Sequence, residues 1–272
     1  MSKVWFVTGT SRGLGRAFAE AALERGDKVA ATARDVAALD DLADTYGADA
    51  VLPLVLDVTD KPAVAAAVAA AHERFGRLDV VVNNAGYGLF GMVEEVTEQQ
   101  LRDQLETNLF GAFWVTQAVL PILRAQGSGR IVQISSVGGV AAFPSLGAYH
   151  ASKWALEGFS ESLAQEVAGA GIKVTIVEPG GFTTDWGGSS AVQAGPDPAY
   201  DQVREAIAAR FGEARYSAPA DAAAALLRIV DADNPPLRVL FGTEPIEIIK
   251  PLYAERLKTW DDWEKVSRIA QG

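Results

Sequence analysis

Seven short apolar runs alternate with amphipathic helical patterns along the chain, and this alternation limits the folds that the sequence can adopt. None of the runs alternates apolar with polar residues, so each is expected to be buried on both faces. Such strands, separated by helices, form a parallel sheet that is covered on both sides. We therefore predict one α/β domain over residues 1–272, with a doubly wound sheet of seven parallel strands. The runs cover residues 4–7, 29–33, 51–56, 78–82, 130–134, 174–177 and 239–241.

The first apolar run leads into a glycine-rich turn that is typical of an anion-binding site. From Thr8 the sequence reads Thr-Gly-Thr-Ser-Arg-Gly-Leu-Gly, and a helical pattern with apolar Phe18 and Leu23 follows. Glycines allow a phosphate to approach the backbone closely, and a helix N-terminus offers free N–H groups and a positive dipole. A nucleotide phosphate would fit this segment, and so would a tight turn that holds no ligand.

A tyrosine and a lysine four residues apart indicate a second site. Tyr149 and Lys153 share one face if their segment is helical, and Ser136 lies thirteen residues before Tyr149. An ammonium about 4 Å from a phenol lowers the phenol pKa by about three units at an effective dielectric of about 20. A tyrosine perturbed in this way becomes a useful acid or base near neutral pH. On its own, the pair would equally be an ordinary surface pair.

Together these motifs resemble those of the classical short-chain dehydrogenases/reductases, and the resemblance extends over essentially the whole chain. It implies a Rossmann-type fold and an enzyme that transfers a hydride with a nicotinamide cofactor. The run 178–186 is similar to that of bacterial members grouped with the 17β-hydroxysteroid dehydrogenases. The motifs that follow the family's order are the glycine turn, residues 83–86, Asn108, Ser136, Tyr149 with Lys153, and Pro179-Gly180 with Thr184.

The resemblance implies roles for four catalytic residues. Tyr149 would donate its proton to a carbonyl oxygen, and Lys153 would lower the tyrosine pKa and hold the nicotinamide ribose. Ser136 would stabilise the developing alkoxide, and Asn108 would support a water chain that ends at Lys153. The residues themselves leave alternatives open. Ser135 or Ser136 would also cap a turn, and Asn108 would also serve as a buried structural hydrogen-bonding group.

Cofactor preference is predicted from the tip of the second strand, where an acidic residue favours NAD and a basic residue favours NADP. The family's acidic position matches Ala33, and Arg34 follows it directly, while Arg12 lies in the glycine turn. Two guanidiniums that converge on one phosphate favour NADP(H) over NAD(H). Asp35 is a competing ribose ligand, although it would also cap a helix that begins at Val36.

Further cofactor contacts follow from the resemblance. Asp57 matches the family residue that contacts adenine, with Val58 beside it, although Asp57 would also cap a loop in Asp-Val-Thr-Asp. The predicted cofactor-binding residues are Gly9, Ser11, Arg12, Gly13, Leu14, Gly15, Arg34, Asp57, Val58, Asn84, Ala85, Gly86, Tyr149, Lys153, Pro179, Gly180, Phe182 and Thr184.

Aromatic residues flank the motifs on the predicted substrate side. Their bulk favours an apolar ketone or secondary alcohol, although core packing would explain some of them. Residues 184–218 are predicted to include a substrate lid, for which a surface insertion is the alternative, and residues 245–272 would cover the pocket or a subunit contact. The predicted substrate-side residues are Tyr87, Phe90, Phe143, Phe182 and Trp186.

Composition excludes several function classes. The chain has no cysteine and only two histidines, which argues against thiol catalysis and a zinc site. A net charge of −11 opposes nucleic-acid binding. No apolar run is long enough for a transmembrane helix, and a strand begins directly after Met-Ser-Lys, so we predict a cytoplasmic protein. A small-molecule substrate and a homodimer or homotetramer are expected by analogy with the family.

Two other function classes fit part of the sequence. Residues 9–13 also match the G-x-S-x-G elbow of serine hydrolases, with Ser11 as nucleophile. That elbow needs several strands before it and a catalytic histidine after it, and only His72 and His150 are present. An NADP-sensing binding protein on the same fold would not need a complete proton-transfer set. We therefore favour an NADP(H)-dependent oxidoreductase without a metal.

Overall fold

The computed structural model describes residues 2–211 and 216–271, and its strands alternate with helices as predicted. The strands are β1 (Val4–Thr8), β2 (Lys28–Ala33), β3 (Val51–Val55), β4 (Val80–Asn83), β5 (Leu89–Phe90), β6 (Gly129–Ile134), β7 (Ile172–Pro179), β8 (Val192–Gln193) and β9 (Arg238–Phe241). The helices are α1 (Gly13–Glu24), α2 (Asp40–Tyr46), α3 (Lys61–Phe75), α4 (Glu98–Leu105), α5 (Gly111–Gln126), α6 (Gly147–Val167), α7 (Asp201–Phe211), α8 (Pro219–Asp231), α9 (Thr243–Asp262) and α10 (Glu264–Ile269).

Seven of these strands form one parallel sheet in the order β3-β2-β1-β4-β6-β7-β9. The order reverses between β1 and β4, because the chain builds outward from β1 in one direction and then from β4 in the other. Ligands of doubly wound sheets bind at such a reversal, beyond the carboxyl ends of the strands. The predicted fold class is confirmed, and the reversal directs attention to the loops after β1 and β4.

Both faces of the sheet are buried. Trp5 and Val7 of β1 pack in a core with α1 and α8, whereas Phe6 faces the opposite core beneath α3 and α5. This arrangement explains why β1 reads as an unbroken apolar run, since every residue of the strand is buried. The buried sheet fixes the strand ends on which the site is built.

Two features of the connections are absent from the sequence-based prediction. A π-helical turn, Glu106–Phe110, joins α4 to α5 and contains Asn108. The short strands β5 and β8 pair in parallel and attach the segment after the β7 loop to the segment after β4. The predicted lid therefore contains β8 and α7, and its residues 212–215 lie outside the described part of the chain.

The C-terminal segment is helical and forms α9 and α10. Leu257, Trp260 and Trp263 are exposed along it. Across residues 2–211 and 216–271, no helix combines the length and the hydropathy that a membrane crossing requires.

Candidate active site

The glycine turn after β1 is shaped by backbone conformations and close approaches that require glycine. Gly9 and Gly13 have φ angles of +71° and +62°, which side chains rarely adopt. A Cβ added at Gly15 would overlap the Asn84 amide nitrogen and the Gly9 carbonyl oxygen. Arg12 precedes α1 without a side-chain cap, and no acidic residue lies in the first helical turn. The open N–H groups at this helix start therefore fit the phosphates of a dinucleotide.

The loop after β4 is bonded directly to the glycine turn. The Asn84 side-chain amide donates to the carbonyl oxygens of Thr8 (2.9 Å) and Gly9 (3.1 Å). The Thr8 hydroxyl in turn accepts from the backbone N–H groups of Asn84 (2.9 Å) and Ala85 (3.0 Å). Asn83 is buried one residue earlier and bonds Gln133 of the neighbouring strand at 3.0 Å. Asn83 therefore links neighbouring strands of the sheet, and Asn84 holds the glycine turn in place.

The residues predicted to select the cofactor differ in their contacts. Arg34 is exposed at the end of β2, and its guanidinium makes no hydrogen bond or ion pair with any residue that the structure describes. Arg12 Nη1 instead donates to Asp185 Oδ2 at 2.6 Å, across the cleft from the glycine turn. Asp35 accepts from the Ala37 N–H at 3.1 Å, so it caps the short 3₁₀ turn that begins at Val36.

Asp57 is also held locally. Its carboxylate accepts from the backbone N–H of Thr59 at 2.9 Å and from the Thr59 hydroxyl at 2.7 Å, which is the loop-capping arrangement. Val58 beside it is buried against Gly111 of α5, where an added Cβ would lie 2.7 Å from Val58 Cγ2. The Asp57 carboxylate is exposed, and its role toward adenine stays a prediction.

Tyr149 and Lys153 lie in the buried first half of α6, with only 5% of each residue exposed. Lys153 Nζ lies 5.8 Å from the centroid of the Tyr149 ring and donates to the carbonyl oxygen of Ile134, at the end of β6, at 2.8 Å. Ser136 follows the same strand and hydrogen-bonds the Tyr149 side chain. The end of β6 and one face of α6 thus bring the three predicted catalytic side chains together.

Burial controls the protonation states of Tyr149 and Lys153. Desolvation raises the pKa of Tyr149 to about 12, although its hydrogen bond with Ser136 acts in the opposite direction. Desolvation lowers the pKa of Lys153 to about 8, while the charge of Glu157 favours the ammonium. The sequence argument predicts a tyrosine pKa lowered by the lysine. In the structure burial instead raises the pKa of Tyr149, so the phenol keeps its proton at neutral pH.

Asn108 is fully engaged in the π-helical turn. Its Oδ1 accepts from the Tyr87 N–H at 3.1 Å, and its Nδ2 donates to the Tyr87 carbonyl at 3.0 Å and to the Ser152 hydroxyl at 3.1 Å. A Cβ added at Gly86 would lie 3.0 Å from Asn108 Oδ1 and 3.6 Å from Lys153 Nζ. Asn108 therefore shapes the loop after β4 next to the lysine. π-Helical turns often occur at functional sites for this reason.

The two serines after β6 face different partners. Ser136 lies beside Tyr149, and its oxygen also accepts from the Gly138 N–H at 3.0 Å. Ser135 is buried and lies against the carboxyl group of Glu157. The spacing that favours Ser136 over Ser135 thus selects the serine that contacts the tyrosine.

Trp186 covers Tyr149. Its ring meets that of Tyr149 edge-on at 5.0 Å and that of Phe90 at 5.2 Å between centroids. Gly88 provides the space, because a Cβ added there would lie 2.7 Å from Trp186 Cζ2. Thr184 caps the turn that carries the tryptophan. The loop after β7 therefore places an apolar ring over the phenol.

The other predicted substrate-side and loop residues have different surroundings. Tyr87 is half-buried next to Asn108, and Phe143 packs against the His150 ring at 5.7 Å. Phe182 is buried in the core beside α8, away from the surface of the cleft. The Gly180 N–H donates to the Phe241 carbonyl at 3.0 Å, which fixes the start of the loop on β9.

Sequence reasoning missed Glu157 and Asp185. Glu157 is buried one turn after Lys153, and its pKa is raised to about 7, chiefly by desolvation. Its spacing of four residues from the lysine was the available signal. Asp185, the partner of Arg12, gave no such signal, because the two residues meet only through the fold. Among the described residues, no cluster of three or more His, Cys, Asp or Glu side chains is placed to hold a metal.

Comparison with known proteins identifies the class to which this fold and site belong. Residues 3–194 match the family model described as short chain dehydrogenase. The chain is 46% identical over 275 residues to Oxidoreductase BOA17 of Botryotinia fuckeliana, with 98% of each chain covered. It therefore belongs to the short-chain dehydrogenase family, and it is an enzyme that acts on CH–OH or C=O groups with a nicotinamide dinucleotide.

Solved structures agree with this assignment. A short-chain dehydrogenase from Streptomyces avermitilis superposes with a TM-score of 0.93 at 44% identity, covering 99% of this chain and 98% of that chain. More distant structures hold either cofactor. A short-chain dehydrogenase from Burkholderia cenocepacia in complex with NADP is 28% identical with a TM-score of 0.76, and the match covers 96% of this chain and 97% of that chain. A 3-ketoacyl-(acyl-carrier-protein) reductase from Brucella melitensis in complex with NADH is 27% identical with a TM-score of 0.75, and the match covers 88% of this chain and 95% of that chain. The membership argues against the hydrolase alternative, and the oxidoreductase relatives favour an enzyme over a sensor, whereas the 17β-hydroxysteroid dehydrogenase subgroup stays a prediction.

Proposed function

We propose that the chain is an NADP(H)-dependent carbonyl reductase that transfers a hydride between the nicotinamide and an apolar ketone or secondary alcohol. The observation that carries this proposal is the buried Tyr149 phenol, which contacts Ser136 and lies under Trp186. With a pKa of about 12, the phenol keeps its proton at neutral pH. It therefore suits protonation of a carbonyl oxygen.

Each side chain has one task in the proposed reduction. The Tyr149 hydroxyl gives its proton to the carbonyl oxygen, and the Ser136 hydroxyl donates a hydrogen bond as negative charge develops there. The Lys153 ammonium stabilises the phenolate that remains, until a proton from solvent restores the phenol. Asn108 is assigned the support of the water chain that carries this proton to Lys153. A bound nicotinamide supplies the hydride to the carbonyl carbon.

The cofactor site is proposed to follow the carboxyl edge of the sheet. The glycine turn would hold the pyrophosphate on the N–H groups at the start of α1. Residues 84–86 would contribute backbone contacts, since the Asn84 side chain is already engaged with Thr8 and Gly9. Asp57 and Val58 would border the adenine, and Lys153 would hold the nicotinamide ribose. The loop 179–184 would border the nicotinamide.

The preference for NADP(H) rests on Arg34. Its side chain is exposed at the end of β2, and it has no carboxylate partner in the described part of the chain. An unpaired guanidinium at this strand end suits a ribose 2′-phosphate. The nearby Asp35, which would favour NAD, is engaged as a cap. Arg12 joins this site only if its contact with Asp185 opens.

The substrate class is inferred from the cover over the phenol. Trp186 and Phe90 present aromatic surface next to Tyr149, which suits an apolar carbonyl compound. Residues 184–218 would act as the lid of this pocket, attached at one end by the β5–β8 pair. The extension 245–272 would cover the pocket or contact another subunit.

Turnover of a panel of prochiral ketones tests this proposal. We expect the protein to reduce bulky apolar ketones with NADPH, measured by loss of the reduced-nicotinamide absorbance, and to oxidise the matching alcohols with NADP⁺. A catalytic efficiency for NADH well above that for NADPH would contradict the cofactor assignment. Turnover of small polar ketones, with none of the bulky apolar ketones, would contradict the proposed substrate class.

A cytoplasmic homodimer or homotetramer is the proposed form of the enzyme. Phe110 at the start of α5 and Trp154 on α6 each leave 42% of the residue exposed, which is unusual for large apolar groups. Burial of these rings between copies of the chain would remove that exposure. Light scattering on the purified protein, and on a Trp154→Glu variant, measures the assembly directly. A monomeric wild-type protein would contradict the proposal.

A further inference from the structure

Glu157 has no task in the proposed reaction, yet it lies in the catalytic half of α6. It is 3% exposed and follows Lys153 by four residues, so the two side chains share one helix face. A carboxylate is rarely buried to this extent unless it is paired. Its partners therefore indicate what the residue does.

Arg238 of β9 holds this carboxylate in place. Its guanidinium contacts Glu157, Glu178 at 2.8 Å and Glu161 at 2.7 Å. Gly139 lies on the opposite side, and a Cβ added there would be 2.6 Å from Glu157 Oε1. The carboxyl group therefore fits only because residue 139 has no side chain. Glu157 is thus fixed between a strand at the sheet edge and the turn after Ser136.

The charged groups that face Glu157 come from three elements. Glu161 belongs to α6, Glu178 to β7 and Arg238 to β9, and the Ser135 hydroxyl lies against the same carboxyl. Lys153, also of α6, makes no direct ion pair with Glu157, but the charge of Glu157 acts on it and favours its ammonium form. Glu161 is exposed, whereas Glu157 and Glu178 are buried. Burial raises the pKa values of both buried carboxyls, and Arg238 opposes this by favouring their ionised forms. Lys153 is the buried cation on the active-site side of the group.

We propose that Glu157, fixed by Arg238, is a positioning residue whose carboxylate keeps the Lys153 ammonium charged in its buried site and so sets the alkaline limit of activity. The inference rests on the proposed function, because it takes the lysine charge to be needed for proton transfer from Tyr149. The physical reason is that burial alone favours a neutral lysine. The bond from Nζ to the Ile134 carbonyl supplies one dipole, and Glu157 supplies the opposing charge.

The decisive experiment compares pH profiles of kcat/KM for Glu157→Gln and Glu161→Gln. The Gln side chain at 157 keeps the shape and removes the charge, so we expect the alkaline limb to move to lower pH by about one unit. Above that limb the activity then falls to about one tenth of the wild-type value. Glu161 pairs with the same arginine but lies two helical turns after Lys153. The alkaline limb of Glu161→Gln should therefore stay at the wild-type position.

A charge-preserving variant separates this role from packing. Glu157→Asp places the carboxylate one methylene further away, so its limb should fall between those of the wild type and the Gln variant. A limb at the same pH in the wild-type, Asp and Gln proteins would overturn the proposal. Should the Gln variant not fold, as judged by circular dichroism, the comparison of Asp with wild type decides in the same way.

A measurement without turnover distinguishes this proposal from the proposed function. Proteins with isotope-labelled lysine give an NMR titration of Lys153, assigned by the signal that Lys153→Met removes. We expect the Lys153 pKa to be lower by about one unit in Glu157→Gln and unchanged in Glu161→Gln. An unchanged Lys153 pKa overturns the present inference. A shifted pKa in a protein that reduces no ketone supports the hold of Glu157 on the lysine charge and contradicts the proposed function.

Discussion

At the scale of single residues, burial decides which groups are charged in the site. Tyr149 and Lys153 are both shielded from water, and desolvation moves their pKa values toward the neutral forms. A protonated phenol and a lysine near its titration point lie next to each other as a result. Small changes of charge around them therefore alter the chemistry more than changes of shape do.

Removal of the Tyr149 hydroxyl is expected to abolish turnover. Tyr149→Phe keeps the ring that packs against Trp186 and removes the proton donor, so kcat should fall by about a thousandfold. NADPH binding, measured by nucleotide fluorescence, should persist within about threefold, since the ring contacts remain. A variant that keeps one tenth of the wild-type rate would rule out the proton-donor role.

Arg34 is expected to carry the cofactor preference. Arg34→Ala should lower kcat/KM for NADPH by about ten- to a hundredfold, the value of one or two charge-assisted contacts, and change NADH little. Arg102→Ala, which removes an exposed arginine of α4, is the matched control and should leave both values unchanged. Equal losses with both nucleotides would show that Arg34 has a structural role.

The chemistry-bearing residues are predictable to different degrees. The spacing to Tyr149 distinguishes Ser136 from Ser135, and the position of Asp35 before Val36 correctly predicts a cap. The predicted convergence of Arg12 and Arg34 on one phosphate stays a prediction, and the structure adds that Arg12 pairs with Asp185. That carboxylate is more than one hundred and seventy residues away in sequence, so no local pattern reveals it.

At the scale of elements, the loop after β7 connects the two sides of the cleft. Asp185 reaches the glycine turn through Arg12, and the next residue, Trp186, lies on Tyr149. The β5–β8 pair then holds the end of this loop. One short segment thus contacts both the predicted phosphate site and the phenol proposed to donate the proton.

Trp186 is expected to determine affinity for bulky substrates. Trp186→Ala removes the aromatic cover, so KM for aromatic ketones should rise by about tenfold or more, while kcat changes less. Leu101→Ala, which trims an exposed apolar residue of α4, is the control and should leave both constants unchanged. A large fall in kcat with an unchanged KM would indicate that Trp186 orients Tyr149 instead.

Elements are predictable where they are long and periodic. The seven sheet strands follow from their apolar runs, although the fourth begins at Val80 and not at 78. The strands β5 and β8 escape prediction because two residues carry no periodicity and pair only after the chain has folded. The π-helical turn around Asn108 escapes because the buried positions before α5 are the polar Gln104 and Asn108, so no apolar periodicity marks the turn.

At the scale of the whole molecule, the site reduces stability. Lys153 is charged in the unfolded chain below its ordinary pKa of 10.5, but in the fold its pKa is about 8. Its burial therefore costs free energy that is fully present below about pH 8 and disappears as the pH rises through about 10.5. The fold tolerates this cost because two large cores flank the sheet.

Substitution of this lysine is expected to stabilise the protein in a pH-dependent way. The Lys153→Met variant should gain about 2 kcal/mol or more at about pH 7 relative to wild type, and this gain should shrink toward zero by about pH 10. Urea unfolding at the two pH values measures the difference. Lys173→Met, at the exposed second residue of β7, should show no such trend. A gain of equal size at both pH values would contradict the buried-charge interpretation.

The reversal of strand order between β1 and β4 also has an evolutionary consequence. The glycine turn and Arg34 come from the first half of the chain, whereas Ser136, Tyr149 and Trp186 come from the second. The residue proposed to select the dinucleotide and the residues proposed to transfer the proton and cover the substrate are thus encoded in separate stretches of the gene. Exchange of the amino-terminal stretch between relatives would transfer one trait without the other, so descendants of such a chain can acquire new substrates while keeping their electron source.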